Sequence, residues 1–136
     1  MTPNTTVKPK LNGLPLLFLV GIGGWWVPGL GHLIIGQKSR ATIIFVSILF
    51  VFLMGLWIGS IGVVDPQTPW YWAQLLNSPA VTFLSHLNTE VYHVASFGRP
   101  KETGQIYTGI AGMLNLLCVV NAIYLAHRKQ SPQEQI

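Results

Sequence analysis

Residues 41–64 run for 24 positions without a formal charge and are rich in Phe, Ile, Leu and Val. No other feature constrains the chain as strongly. A helix of about 20 apolar residues spans the hydrocarbon of a bilayer, and this stretch is long enough to do so. Residues 14–35 form a second charge-free run and residues 105–126 a third. Only 9% of the 136 residues are charged, where ordinary soluble domains carry about 25%. So few charges cannot cover a soluble surface, and part of the surface is expected to face lipid.

The first run is not a clean helix. Gly21, Gly23, Gly24, Pro28, Gly29 and Gly31 crowd its second half. Pro28 removes a backbone donor, and the glycines loosen the turns around it. In lipid, broken backbone survives only where it is buried in protein or faces water. The sequence leaves two forms open for 14–35: a span kinked near Pro28, or a re-entrant element with its tip there. Residues 36–40, with Gly36, Lys38 and Arg40, read as a tight polar turn. A turn so short predicts that 14–35 and 41–64 close as an antiparallel hairpin, domain 14–64. Within 41–64, Gly55 and Gly59 make a Gly-x-x-x-Gly pair, a notch that lets another helix come close.

The third run, 105–126, has two sorted faces. Thr108, Ala111, Gly112, Asn115, Cys118, Val119 and Ala122 recur at helical spacing and are mostly small or polar. Ile106, Ile110, Met113, Leu117 and Val120 lie opposite and are bulky. The small face suits helix contact, with Asn115 placed to hydrogen-bond across it. Between the runs, 65–104 reads as a surface-lying extracytoplasmic connection divided by Pro66, Pro69, Pro79 and Pro100. Trp70, Tyr71 and Trp72 suit the headgroup level. Residues 80–97 read as an amphipathic interfacial helix with Val81, Leu84, Leu87, Val91 and Val94 on one face. A fourth span within 70–87 is disfavoured by Asn77, Pro79, Ser85 and His86. Residues 1–13 and 127–136 read as polar tails. The expected fold is thus an all-α integral membrane protein: a transmembrane helical hairpin, a connecting loop with an interfacial helix, and a C-terminal transmembrane helix.

The eight Lys and Arg flank the apolar runs instead of forming a basic stripe, which excludes a nucleic-acid pattern. If 14–35 spans, Lys8, Lys10, Arg99 and Lys101 oppose Lys38, Arg40, Arg128 and Lys129, and the positive-inside count ties. If 14–35 is re-entrant, only Arg99 and Lys101 lie on the second side. A span with the N-terminus outside leaves every other segment placed as in the re-entrant form. The 36–40 turn and the C-terminus are therefore expected in the cytoplasm, with the side of the N-terminus open. The N-terminal run lacks a small-x-small cleavage site and reads as uncleaved.

Little here suggests catalysis. No nucleophile–base set, phosphate loop or zinc spacing stands out. His32 sits among the glycines and has two readings: a hydrogen bond to a carbonyl freed by Pro28, or a ligand to haem or chlorophyll. His86, Glu90 and His93 share one helix face. Carboxylate-bridged metal sites need more acids than the four in the chain, so a solvated face is the reading and no metal is expected. His127 belongs to a basic helix end, and Cys118 reads as a small buried thiol. Apart from His32 the spans hold no Asp, Glu, Lys, Arg or His, and Asn115 and Asn121 are neutral, which argues against a proton-coupled carrier.

Pro28-Gly29-Leu30-Gly31-His32, followed by Gly36 and basic residues, resembles a box found in small bacterial membrane proteins. It is distantly similar to the two-helix transmembrane hairpin family. It is also similar to an uncharacterised bacterial integral membrane family of domain-of-unknown-function type. That family pairs the box with a late segment like residues 106–117 here, and both stand in the expected order. Asn121 departs from the pattern, where an acidic residue is expected. The resemblance implies a bacterial inner-membrane fold and no activity.

The function expected from these readings is non-enzymatic: a small accessory subunit of a larger membrane assembly, respiratory or photosynthetic. Its partners would be lipids and other integral subunits, with no cofactor. Two small-residue faces carry that expectation, one to close the chain's own hairpin and one left for a partner. The alternatives are a module binding haem, chlorophyll or lipid near His32 and the Trp25–Trp26 pair, and a small oligomeric channel or transporter.

Overall fold

The computed structural model describes residues 13–92, 96 and 98–130. Among these residues every regular element is helical. The longest, α6 (Gly98–Gln130), has 33 residues, about 50 Å at 1.5 Å per residue. Its neighbours contact it in order, so position along α6 works as a ruler.

Helix α3 (Lys38–Gly59) lies antiparallel to α6 and is about 33 Å long by the same rise. A methyl group on Gly59 would sit 2.9 Å from the Pro100 carbonyl oxygen, and one on Gly55 2.9 Å from that of Gly104. The two backbones touch because these positions have no side chain. The long antiparallel pair is therefore α3 with α6, not 14–35 with 41–64 as the short turn suggested. Close approach along a glycine seam outweighs the proximity of elements in sequence.

The 14–35 run is two helices. In α1 (Leu14–Trp26), Gly21 faces Ile123 and Gly24 faces Val119. Val27 is extended, and Gly29 adopts φ 84, the left-handed region where glycine carries no Cβ penalty. Helix α2 (Leu30–Ile34) then returns, with Gly31 against Ala122 and Lys129 Nζ 2.6 Å from the Ile35 carbonyl oxygen. Both ends of this hairpin lie at the C-terminal end of α6, and its tip lies near Val119. The run therefore turns back on itself, with α2 returning toward the end where α1 starts. At 13 residues, α1 is about 20 Å long, short of the roughly 30 Å of bilayer hydrocarbon. Gly36, at φ 88, turns the chain into α3, so Lys38 and Arg40 begin a helix instead of lying in the turn.

A second hairpin enters from the opposite end. Ser60 takes φ 62, and a 3-10 turn at Ile61–Val63 ends α3 short of residue 64. From there Lys101 pairs with Asp65 at 3.1 Å, Gln105 Nε2 donates to Thr68 Oγ1 at 3.3 Å, and Gln74 Nε2 donates to Thr108 Oγ1 at 2.8 Å. The chain thus runs along α6 through α4 (Trp70–Leu75). The packing is tight enough that a methyl group on Gly112 would collide with the Ala73 carbonyl. Beyond Asn77 the chain reverses at Pro79 into α5 (Ala80–Leu87), and the start of α6 requires it to come back.

Much of the connection expected over 65–104 is thus packed against α6. Gln74 is fully buried, as are Val63 and Val64, and Asn77, Ser78 and Ser85 are nearly so. The polar residues of this segment are covered by the rest of the protein. The interfacial helix expected over 80–97 stops at Leu87 and passes into a π-helical turn, Asn88–Tyr92. Val81 is buried and Val91 exposed, so the apolar face ends where packing ends. Val94 and His93 lie outside the described residues. At the other end α6 begins at Gly98 and absorbs residues 127–130 of the expected tail. Residues 1–12 and 131–136 lie outside the described residues.

The core divides between the two hairpins. Ile48, Phe52, Val64, Val81 and Ala111 form one cluster; Val20, Ile35, Ala122 and Ala126 form the other. Ile106, Ile110, Met113, Leu117 and Val120 of α6 are all exposed, as are Ile43, Val46, Phe50 and Trp57 of α3. Two helices, α3 and α6, are long and apolar enough to cross a membrane.

Gly112→Ala is expected to cost about 1–3 kcal/mol through overpacking against α4. Gly36→Ala meets open space but a strained φ, and should cost about 1–2 kcal/mol. Thermal unfolding in detergent should rank the two in that order.

Candidate functional site

Two chain reversals inside an apolar structure leave backbone carbonyls without helical partners. The residues that satisfy them form the most concentrated polar feature of the fold. Asn115 is fully buried, and its Nδ2 donates to the Leu76 and Asn77 carbonyls at 3.1 and 2.8 Å. Helix α6 supplies this amide at the depth where α4 ends. Ser78 Oγ donates to the Trp26 carbonyl at 2.8 Å and accepts from the Ala80 amide at 3.2 Å. Trp25 Nε1 donates to the Leu75 carbonyl at 3.1 Å. The last two side-chain bonds tie hairpin to hairpin, tip against tip.

A polar ladder leads from this junction toward the start of α6. Gln74 Nε2 lies 3.2 Å from the Val63 carbonyl as well as 2.8 Å from Thr108. Thr108 Oγ1 lies 2.9 Å from the Gly104 carbonyl. Gln105, Thr68, Lys101 and Asp65 complete the run. Toward the other end of α6 the facing residues are Val119, Ala122 and Ala126, which are apolar. The ladder therefore reaches mid-depth and stops against the α1–α2 hairpin. The amide oxygens of Gln74, Asn77 and Asn115 are buried without a partner among the described residues; the nitrogens of Gln74 and Asn115 carry the bonding.

The small-residue faces read from the sequence are both used inside the chain. Gly55 and Gly59 meet Gly104 and Thr108, Gly112 meets Ala73 and Asn77, and Ala122 meets Gly31. Ala111 is fully buried in the larger core cluster, with Cys118 packed against it. Neither face is left over for another subunit, which removes the argument that rested on a spare one.

His32 lies in α2 and is 2% exposed. No side-chain hydrogen bond links it to the described residues, so the expected bond to a freed carbonyl is not what holds it. The carbonyls near the reversal are reached instead by Ser78, Trp25 and Lys129. A cavity of about 250 Å³ beside Pro28, Gly29 and Leu33 does not include His32 in its wall. His86 and Glu90 are exposed. Among the described residues no three His, Cys, Asp or Glu side chains group as metal ligands.

Trp25, Gln74, Asn77 and Ser78 are the residues that sequence reasoning missed. A signal existed: residues 66–89 contain no Asp, Glu, Lys or Arg, as the membrane runs do. Asn115→Leu is expected to strand two carbonyls and cost about 1–3 kcal/mol. Ser78→Ala breaks one neutral bond and should cost about 0.5–1.5 kcal/mol. Amide hydrogen exchange should rise in α4 for the first and at the hairpin tips for the second.

No curated protein and no solved structure matches the chain. One protein-family profile does, over residues 19–134: DUF6677, described as a family of unknown function. The match takes in all of α6, the second hairpin and all but the first turn of the α1–α2 hairpin, and the chain belongs to this family.

Proposed function

We propose that the chain is an integral protein of a bacterial cytoplasmic membrane and serves, without catalysis, as a small accessory subunit of a larger membrane assembly. The observation that carries the membrane half is the outer surface of α3. This helix has a mean hydropathy of 2.6 over its best window, and only 22% of that window is buried inside the protein. Exposing Phe50, Leu53 and Trp57 side by side to water is unfavourable at roughly 25 cal/mol per Å². In lipid the same surface is at home. In this reading α3 and α6 cross the bilayer and each hairpin enters and leaves on one side.

The returning α1–α2 hairpin bears on orientation. Helix α1 starts at the end that carries Lys38, Arg40, Arg128 and Lys129, so Lys8 and Lys10, which precede it in sequence, count there too. Arg99 and Lys101 stand at the other end, and Lys101 is paired with Asp65. Six against two favours the 36–40 end in the cytoplasm.

The non-enzymatic half is supported by how the buried polar groups are used. Asn115, Gln74, Ser78 and Thr108 are all bonded to backbone or to each other, in service of the chain's own reversals. With both small-residue faces closed internally, the partner surface is the bulky outer face of α6. A haem or chlorophyll reading would require His32 to open to a ring, and the protein closes over it.

The chain should stay in the membrane fraction after carbonate washing. In a Cys118→Ser background, Ser39→Cys should react only with reagent on the cytoplasmic side and Gln67→Cys only from outside. The reverse pattern overturns the orientation. Purified in mild detergent from its native source, the protein should migrate with stoichiometric partners; a lone monomer overturns the subunit role.

A further inference from the structure

Between α3 and α5 lies a trough of about 570 Å³, within the roughly 300–1,000 Å³ range of small-molecule sites. Phe45, Leu49 and Leu56 form one wall, and Val81, Leu84 and Leu87 the other. The tips of both hairpins close its inner end with Trp26, Asn77 and Ser78. We infer that this trough is a binding site for a single hydrocarbon chain of a bilayer lipid, drawn from the leaflet on the Asp65–Lys101 side. The inference rests on the membrane reading above.

Chemistry and length both select this occupant. The only polar residues in the wall besides the indole of Trp26 are Asn77 and Ser78. Ser78 Oγ is already bonded to the Trp26 carbonyl and the Ala80 amide, and the Asn77 amide oxygen has no accessible surface. The inner end therefore asks for hydrocarbon and offers a headgroup nothing. Along α3 the wall extends from Phe45 to Leu56, about 16 Å at 1.5 Å per residue. One leaflet of a hydrocarbon core of roughly 30 Å has that depth. The trough starts at mid-depth, where the hairpins meet, and runs outward, as an acyl chain does.

The two ends of the chain do not suit the site by composition. Residues 1–12 and 131–136 are polar and basic or acidic. The need for an occupant is also visible. Helix α5 has eight residues, too few to be stable alone. It meets the core through Val81 and Leu84, while Phe83 is exposed. A chain lying in the trough would fill the space beside these contacts and hold α5 at its distance from α3.

The full-length protein in nanodiscs of phosphatidylethanolamine, with a diazirine at the end of one acyl chain, tests this. Cross-linked peptides are mapped by mass spectrometry, and the outer face of α6 at Met113 and Leu117 serves as the reference for ordinary lipid contact. Labelling is expected to concentrate near Phe45, Leu49 and Ala80, above the reference. Ala80→Trp and Leu49→Trp, each filling the trough from a different wall, should each lose this excess while α6 stays labelled. Excess that survives both substitutions, labelling no stronger than on α6, or a cross-link between two copies through the trough overturns the inference. No labelling on α6 either would overturn the membrane reading itself.

Discussion

A backbone that turns around in an apolar environment must find hydrogen-bond partners within the protein, because the surroundings supply none. This fold turns its backbone around twice, from opposite ends of one long helix, and side chains of the protein itself take the freed carbonyls. The α1–α2 hairpin and the chain around α4 and α5 each stop near the middle of α6. Their tips are joined by Ser78 and Trp25, and Asn115 takes the carbonyls where α4 ends. These bonds connect residues 38 to 52 positions apart, so they form only when both hairpins are in place.

Helix α6 has a divided character for the same reason. Its first half turns Lys101, Gln105, Thr108 and Asn115 toward a chain that needs donors and acceptors. Its second half turns Val119, Ala122 and Ala126 toward α1 and α2, which need only room. The glycines follow the closest approaches. Gly55, Gly59 and Gly104 let α3 touch α6, and Gly112 lets α4 do so. Bulky side chains are left on the outside, which is the arrangement expected when the medium is apolar and the interior is where polar groups gather.

A small protein built this way has little polar chemistry to spare. The Gln74 and Asn115 nitrogens and the Ser78 and Thr108 hydroxyls hold the chain's own backbone, and His32 is shut in by α2 and its surroundings. What it presents outward is shape and apolar surface: the ridged face of α6, the face of α3, and the trough between α3 and α5. Recognition by such a surface works through packing with lipid or with other helices.

The sequence by itself determined which stretches are apolar, that 14–35 is broken at Pro28 and Gly29, and which face of α6 is turned inward. Those are local properties: absence of charge, loss of a backbone donor, left-handed φ, and helical period. It did not determine which long helices pair. The short 36–40 turn pointed to 14–35 with 41–64, and the glycine seam of Gly55, Gly59 and Gly104 decided for α3 with α6. Nor did it reveal the second hairpin, because α4 and α5, at six and eight residues, are too short to show a clear period. Asn77, Ser78 and Gln74 look like reasons against burial when read in line. Only the tertiary structure brings their partners to them, since a polar side chain at depth is expensive alone and favourable once Trp26, Val63, Thr108 and Asn115 surround it.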